Sequence, residues 1–582
     1  MKIKSFLLLI TMLFVISGTA ANAQSSLAKF KYEDAEKAYN NKNYVQCVKL
    51  LDETQKMLGK GAPNISYLRI MARSHMIAGK FEDIQKWKDE IDYYLKHYDI
   101  PGLEDKLRDV YDLKQRIDAG QVYPKTEAEF ARQWGAHFAF RSKWKSACNW
   151  YLKAAKLGDT VSQKELGHCY FYGRGVEQSY ADALQWYLTA SSKTTLGWEA
   201  ERNVAYSYQM TRKNLAMAIK WYGVAAAAHD IYSAYQVASW YEIGGRPGFI
   251  KDEKVACKYY RMAANEKVTN DWYLPTNAMI TNADLKIILS NNSAKAKNKA
   301  YKASYSDIKY LAKYKYAYHL ENGLGCEQDL GRAIGLYESI DEYYPGYVEA
   351  NRRLGYIYLD GKGGIQIDYN QAVTNFKRAC YGGGNNNPND YLRVGYTYLR
   401  WAPHNSSHYD ALLSNAESYF EDAFKKATQD SLKGFAATEL GFTYQQWFVH
   451  KKRNSDNPDY HTFNESISWF ENAAKYNDSY GLVELGKFYY DDSYRGHSYA
   501  KAKEMFEKST NPFAKVGLAV MYYTGHGVKR DRDQAVQLYK EARKLSKNLT
   551  LSGDEDFVFH SFYRDETRLV KFLQRKHPEL LN

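Results

Sequence analysis

The chain has 582 residues, of which 45% are hydrophobic and 25% charged. That balance excludes intrinsic disorder, and the length exceeds what a single globular core usually reaches. The net charge of +13 is modest for this length, so it permits an anionic partner without requiring one.

Residues 1–23 carry the pattern of a secretory signal. Lys2 and Lys4 form a basic start, Phe6 to Ile16 an apolar run, and Ala21-Asn22-Ala23 a small-x-small cleavage site. No later stretch reaches the ~18 consecutive apolar residues that would cross a membrane. The sequence therefore predicts export, to the periplasm of a bacterium or to the outside, with no transmembrane segment in the mature chain. Export removes nucleic acid from the candidate partners.

From residue 24 to about 125, apolar positions spaced by three and four predict TPR-like helix pairs. Ala35, Ala38 and Tyr39 share one stripe, followed by Tyr44, Val48 and Leu51; Leu68 and Ala72 are followed by Phe81, Ile84 and Trp87. Pro101-Gly102 interrupts the run before a further helix near 103–118.

Over residues 126–546 a short pattern, Ala-x-x-x-(Tyr/Phe)-x-x-Ala, returns about every 37 residues. Clear copies begin at Ala147, Ala183, Ala218, Ala256, Ala372 and Ala535, and weaker ones at Ala333, Ala416, Ser466 and Ala502. A period of this length predicts stacked helix–turn–helix repeats. The double gap between Ala256 and Ala333 predicts a degenerate repeat near 266–310, and wider spacings predict loop insertions at Ala402 to Tyr409 and Phe448 to His461. The first helix of each repeat carries Leu-Gly-x-x-Tyr, as at Leu166, Gly167 and Tyr170 or Leu440, Gly441 and Tyr444. A glycine inside a helix costs about 1 kcal/mol relative to alanine, so its recurrence predicts helices too close for a side chain. Gly-x-Gly follows, as at Gly173 and Gly175, Gly323 and Gly325, Gly361 and Gly363, and Gly525 and Gly527, in positions that suit a positive φ after a helix end. Asp329, Asp368 and Asp531 then stand where they can cap the next helix. Residues 547–582 contain an amphipathic stretch, Phe557 to Leu581, read either as a helix closing the last repeat or as one that docks a partner.

These elements together resemble the Sel-one-like repeat (SLR) family, a relative of the TPR. One copy runs Leu166-Gly167-His168-Cys169-Tyr170-Phe171-Tyr172-Gly173-Arg174-Gly175-Val176 and continues through Ala183, Tyr187 and Ala190. Another comprises Tyr522, Gly525, Gly527, Asp531, Ala535, Tyr539 and Ala542. The resemblance implies an all-α fold, a right-handed α-solenoid with a concave groove, serving as an adaptor for protein partners. One branch of the family has a disulfide in each repeat and is described as binding or cleaving β-lactams. Cys380 stands where such a cysteine would fall, but no partner follows nearby and most other copies have no cysteine there.

Candidate chemistry is sparse. Gly355 to Lys362 has five residues between its glycines and Gly363 after the lysine, so it departs from a phosphate loop. No His-Glu-x-x-His, Gly-x-Ser-x-Gly or paired Cys-x-x-Cys occurs, and neither a catalytic constellation nor a cofactor is expected. His404, His408 and Asp410 lie in a polar insertion beside Pro403 and read as solvated rather than metal-binding. Lys295, Lys297, Lys299, Tyr301, Lys302, Tyr305 and Lys309 interleave charge with aromatic rings. They read either as a platform for an anionic envelope glycan or as solvated helix faces with core tyrosines. His450-Lys451-Lys452-Arg453 reads as a basic loop. Cys148 and Cys169 flank Asp159 almost symmetrically, at eleven and ten residues, and form either a disulfide or two buried thiols.

Overall fold

The computed structural model describes residues 19–59, 61–76, 79–121, 124–211, 214–244, 250–265, 304–343, 347–382, 386–454, 460–492, 494–546, 560–577 and 580. It separates into two units, residues 1–230 and 231–582. Among the described residues the regular elements are helices, and none is long and apolar enough to cross a membrane.

The first unit contains α1 (Thr19–Asn40), α2 (Tyr44–Leu58), α3 (Pro63–Arg73), α4 (Phe81–His97), α5 (Glu104–Asp118), α6 (Glu127–Phe140), α7 (Trp144–Lys156), α8 (Thr160–Tyr172), α9 (Tyr180–Ser191), α10 (Trp198–Thr211) and α11 (Leu215–Ala227). The second contains α12 (Ile231–Ile243), α13 (Glu253–Asn265), α14 (Tyr305–Asn322), α15 (Leu330–Tyr343), α16 (Val348–Asp360), α17 (Tyr369–Tyr381), α18 (Pro388–Trp401) and α19 (Tyr409–Lys426). It continues with α20 (Asp430–Asn454), α21 (Tyr460–Lys475), α22 (Ser479–Tyr490), α23 (Tyr499–Lys508), α24 (Pro512–Thr524), α25 (Arg532–Leu545) and α26 (His560–Lys576). Within each unit most contacts run between helices adjacent in the chain, the arrangement of an α-solenoid.

The repeated residues explain the stacking. The aromatic of each second helix is a core residue: Tyr187, Tyr222, Tyr260 and Phe376 are fully buried, as are the alanines around them. In α8, α16, α20 and α22 an interior glycine lies against the ring of the following helix, whereas α10 and α12, the partners of Tyr222 and Tyr260, contain no glycine. A Cβ added to Gly167 would stand 2.7 Å from the Tyr187 ring, and one on Gly355, Gly441 or Gly486 would stand 2.5, 2.6 or 2.6 Å from Phe376, Phe470 or Phe506. The recurring glycine is therefore a socket for the recurring ring, and burying that ring outweighs the helix-propensity cost.

The turns behave as their residues require. Gly323 and Gly361 end their helices in the left-handed region at φ 65° and 61°. Gly325 has φ 68°, and a Cβ there would lie 2.0 Å from the Glu253 carbonyl oxygen, so this turn packs directly on the start of α13. Asp329, Asp368 and Asp531 each accept a hydrogen bond from the backbone N–H three residues on, at 2.9 Å.

Two local differences from the sequence reading have physical causes. The second expected insertion is partly helical: α20 continues to Asn454, so His450 to Arg453 form its last turn rather than a loop. Helices α8 and α16 end at a glycine six residues after the interior one, but Trp447 holds that place in α20, and no left-handed cap stops it. The first expected insertion folds into two short 3₁₀ turns, Ala402–His404 and Ser406–His408, where Pro403 cannot continue an α-helix. The degenerate repeat expected near 266–310 lies mostly outside the described residues.

The C-terminal helix α26, a candidate cap, packs on the first helices of the last two pairs, α22 and α24. Phe562, Leu569 and Leu573 are its buried apolar residues.

Candidate functional site

In the second unit the first helices α16, α18, α20 and α22 border a cleft of about 840 Å³. Three large aromatic side chains on its lining keep substantial exposure: Tyr396 at 44%, Phe435 at 40% and Tyr480 at 54%. Together they form an exposed aromatic cluster of the kind that marks a contact surface. Beneath it, Tyr356 stands edge-on to the Phe376 ring at 5.1 Å, and Phe442 is edge-on to Phe470 at 5.3 Å. Tyr356 and Phe442 on the lining thus rest on rings that hold the repeats together.

Charged groups in the cleft are placed by deeper contacts. Asp390 is fully buried and takes a bidentate pair from Arg352, at 2.7 and 2.6 Å, and a third bond from Arg393 at 2.6 Å. Arg393 also donates from Nε to the Tyr356 hydroxyl at 2.6 Å, so its guanidinium is held on both sides. Arg400 pairs with Asp360 at 3.2 Å at the rim, an exposed contact worth less than about 1 kcal/mol. Glu439 differs from these: no described residue forms an ion pair or side-chain hydrogen bond with its carboxylate. Burial, reinforced by the neighbouring Asp478 carboxylate, pushes its pKa up to about 7. Asp478 itself caps α22 through the backbone N–H groups of Tyr480 and Gly481, at 3.1 and 2.9 Å, and accepts from Thr438 at 2.7 Å. The lining offers aromatic faces, aliphatic side chains and charged groups.

The residues singled out from sequence are distributed otherwise. Lys295, Lys297, Lys299, Tyr301 and Lys302 lie outside the described residues. Tyr305 opens α14, behind a Ser304–Asp307 capping box, and Lys309 is half-buried one turn on. Of the tyrosines that follow, Tyr310 and Tyr316 are buried. Tyr314 packs on Tyr337 and Tyr347 at 5.9 and 6.2 Å.

Cys148 and Cys169 share one small core in the first unit. Both are free thiols in contact with each other, and Cys148 donates to the Arg174 carbonyl at 2.9 Å. His404 stacks on Tyr369 at 5.5 Å, and Asp410 accepts from the Trp447 indole at 2.8 Å. No group of three or more histidine, cysteine, aspartate or glutamate residues among those described is arranged to hold a metal ion.

Sequence reasoning missed Tyr396, Phe435, Glu439 and Tyr480. A signal for most of them existed: counted from the interior glycine, positions −6, −2, +1 and +5 escape the repeat consensus. In α18 and α20 these positions supply Asn389, Arg393, Tyr396 and Arg400, then Phe435, Glu439 and Phe442.

The Sel1 repeat family model matches residues 145–159, 160–194, 198–230, 231–268, 311–339, 348–384 and 512–546. Among solved structures, the chain is similar to c5321, a protective antigen present in uropathogenic Escherichia coli strains and displaying an SLR fold. That match has 18% identity and a TM-score of 0.43, and covers 92% of this chain and 96% of that one. It is also similar to a Sel1 repeat protein from Oxalobacter formigenes, at 18% identity and a TM-score of 0.34, over 64% of this chain and 88% of that one. No curated protein matches the chain.

Proposed function

We propose that this chain, which belongs to the Sel1-like repeat family, is an exported scaffold that binds a protein partner through the cleft of its second unit. Repeats of this family form scaffolds that generally mediate protein–protein contact, and the cleft supplies a surface for it. The observation that carries the reading is the convergence of Tyr396, Phe435 and Tyr480, from three successive first helices, around one cleft. Interfaces concentrate their binding energy in such aromatic anchors. Export to the periplasm or the outside rests on residues 1–23 and places the partner in the cell envelope or a secreted complex.

The test is retention from solubilised envelope extract by the purified chain and by its Phe435→Glu variant. A discrete protein held at moderate salt by the first and lost by the second supports the reading; equal retention by both overturns the cleft as the binding surface. Export is tested by cell fractionation with N-terminal sequencing, and a mature chain beginning at Gln24 is expected.

A further inference from the structure

The occupant of the cleft can be specified from an interface inside the same unit. Positions counted from the interior glycine (Gly395 in α18, Gly441 in α20, Gly486 in α22) make the first helices comparable. In α22 the residues at −2, +1 and +5 are Glu484, Lys487 and Asp491. These three receive α26. The Lys487 ammonium lies 5.7 Å from the centre of the Tyr563 ring. Asp491 accepts from the backbone N–H of Ser561 at 2.9 Å, at the first turn of α26. Glu484 and Lys487 both act on Glu566. In α18 and α20, positions −2 and +1 hold Arg393 with Tyr396 and Glu439 with Phe442, and these line the cleft. The cleft therefore continues the seat of α26 along the same face of the array.

Length and charge narrow the occupant further. A helix of 17 residues, such as α26, is about 25 Å long. Four first helices packed about 8–10 Å apart offer a bed of similar length. In α22, Glu484 is neutralised by Lys487 at 2.7 Å. In α20, the residue at the Lys487 position is Phe442, and Glu439 is left without a cationic neighbour of its own. An occupant seated as α26 is would supply that cation, and apolar side chains for Tyr396, Phe435 and Tyr480. Burial of the Glu439 carboxylate adds to the demand, because a desolvated acid gains most from a charged donor.

We propose that the cleft receives an amphipathic helix of a partner protein, laid as α26 is laid on α22 and α24, with a lysine or arginine facing Glu439. The proposal rests on the protein-binding reading above and adds the form and charge of the ligand.

Two fluorescein-labelled 17-residue peptides test it against the full chain by anisotropy: one with the sequence of residues 560–576, the other with Glu566→Lys. The Glu566→Lys peptide should bind about tenfold more tightly than the unmodified one, Glu439→Gln should erase that preference, and Phe435→Glu should weaken both peptides at least tenfold. Tyr396→Glu is the second cleft variant, and circular dichroism confirms that each variant stays folded. A preference that survives Glu439→Gln overturns the charge assignment. Tighter binding of the unmodified peptide overturns the foreign partner and points to the C-terminal helix of a second copy of this chain. If neither peptide saturates by about 100 μM while extract retention is still lost in Phe435→Glu, the helical ligand is overturned and the protein-binding cleft stands. Failure of both measurements overturns both.

Discussion

Helix α8 of the first unit and helices α18 and α20 of the second treat the same register position in opposite ways. In the first, the residue after the interior glycine of α8 is His168, and it is consumed by its neighbours. Asn203 donates to the Tyr187 hydroxyl at 3.2 Å, and that hydroxyl shares a hydrogen bond of 2.7 Å with His168 Nδ1. His168 stacks on Tyr172, whose hydroxyl donates to Glu199 at 3.0 Å. Burial holds the His168 imidazole neutral, with its pKa lowered to about 4. In the second unit the corresponding residues are Tyr396 and Phe442, which line a cleft, and the nearby Glu439 carboxylate has no such network. The comparison teaches that identical packing can present either a closed polar network or an open contact surface. The choice rests on a few residues per repeat that the packing does not constrain.

The largest expected effect tests the shared part of that comparison. Tyr187→Ala and Phe470→Ala each remove a fully buried ring from its glycine socket, and each should cost about 3–5 kcal/mol in denaturant unfolding followed by circular dichroism. A loss below about 1 kcal/mol in either would mean that ring and glycine do not act as a unit.

The next effect separates the units by pH. His168 has a folded pKa below its unfolded value, so the unfolded chain binds more protons between about pH 6.5 and 4, and stability falls as pH drops through that window. Glu439 has a folded pKa raised from 4.5 to about 7, so the folded chain binds more protons there, and stability falls as pH rises through that window. His168→Gln should therefore lessen the acid-side loss. Glu439→Gln should stabilise the chain at pH 8, by up to about 3 kcal/mol, with the gain vanishing near pH 4.5. Differences from the unsubstituted chain that do not change with pH would contradict both assignments. Glu566, on α26, provides an internal control, because burial also pushes it up to about 7. Glu566→Gln should repeat the Glu439 pattern at a similar size, since its pKa is raised over the same range.

The smallest effect on stability is expected at the exposed cleft residues. Phe435→Glu and Tyr396→Glu should each change unfolding free energy by less than about 0.5 kcal/mol, while abolishing partner retention. A large loss of stability would instead place these rings in the core.

Much of the fold was legible along the chain. The period, the interior glycines, the Gly-x-Gly turns and the capping aspartates are local requirements, and many of the repeats restate them in their own residues. Helix α20 shows the limit of such reading: composition marked residues 448–454 as part of a loop, whereas the lack of a glycine at Trp447 let the helix run on. The candidate site was less legible. The Lys/Tyr segment drew attention through its charge, and most of it lies outside the described residues. Tyr396, Phe435 and Tyr480 looked like three more aromatics in a tyrosine-rich chain.

The sequence alone determined that this is an all-helical repeat protein, because ring, alanine and glycine must recur at a fixed spacing for each pair to bury its neighbour. Only the tertiary structure decided that three exposed rings share one cleft and that α26 lies along the same face. Those relations join residues far apart in the chain, as in the bond from Tyr490 to Asp565, 75 positions on. They follow from how successive helices stack, which no local pattern records.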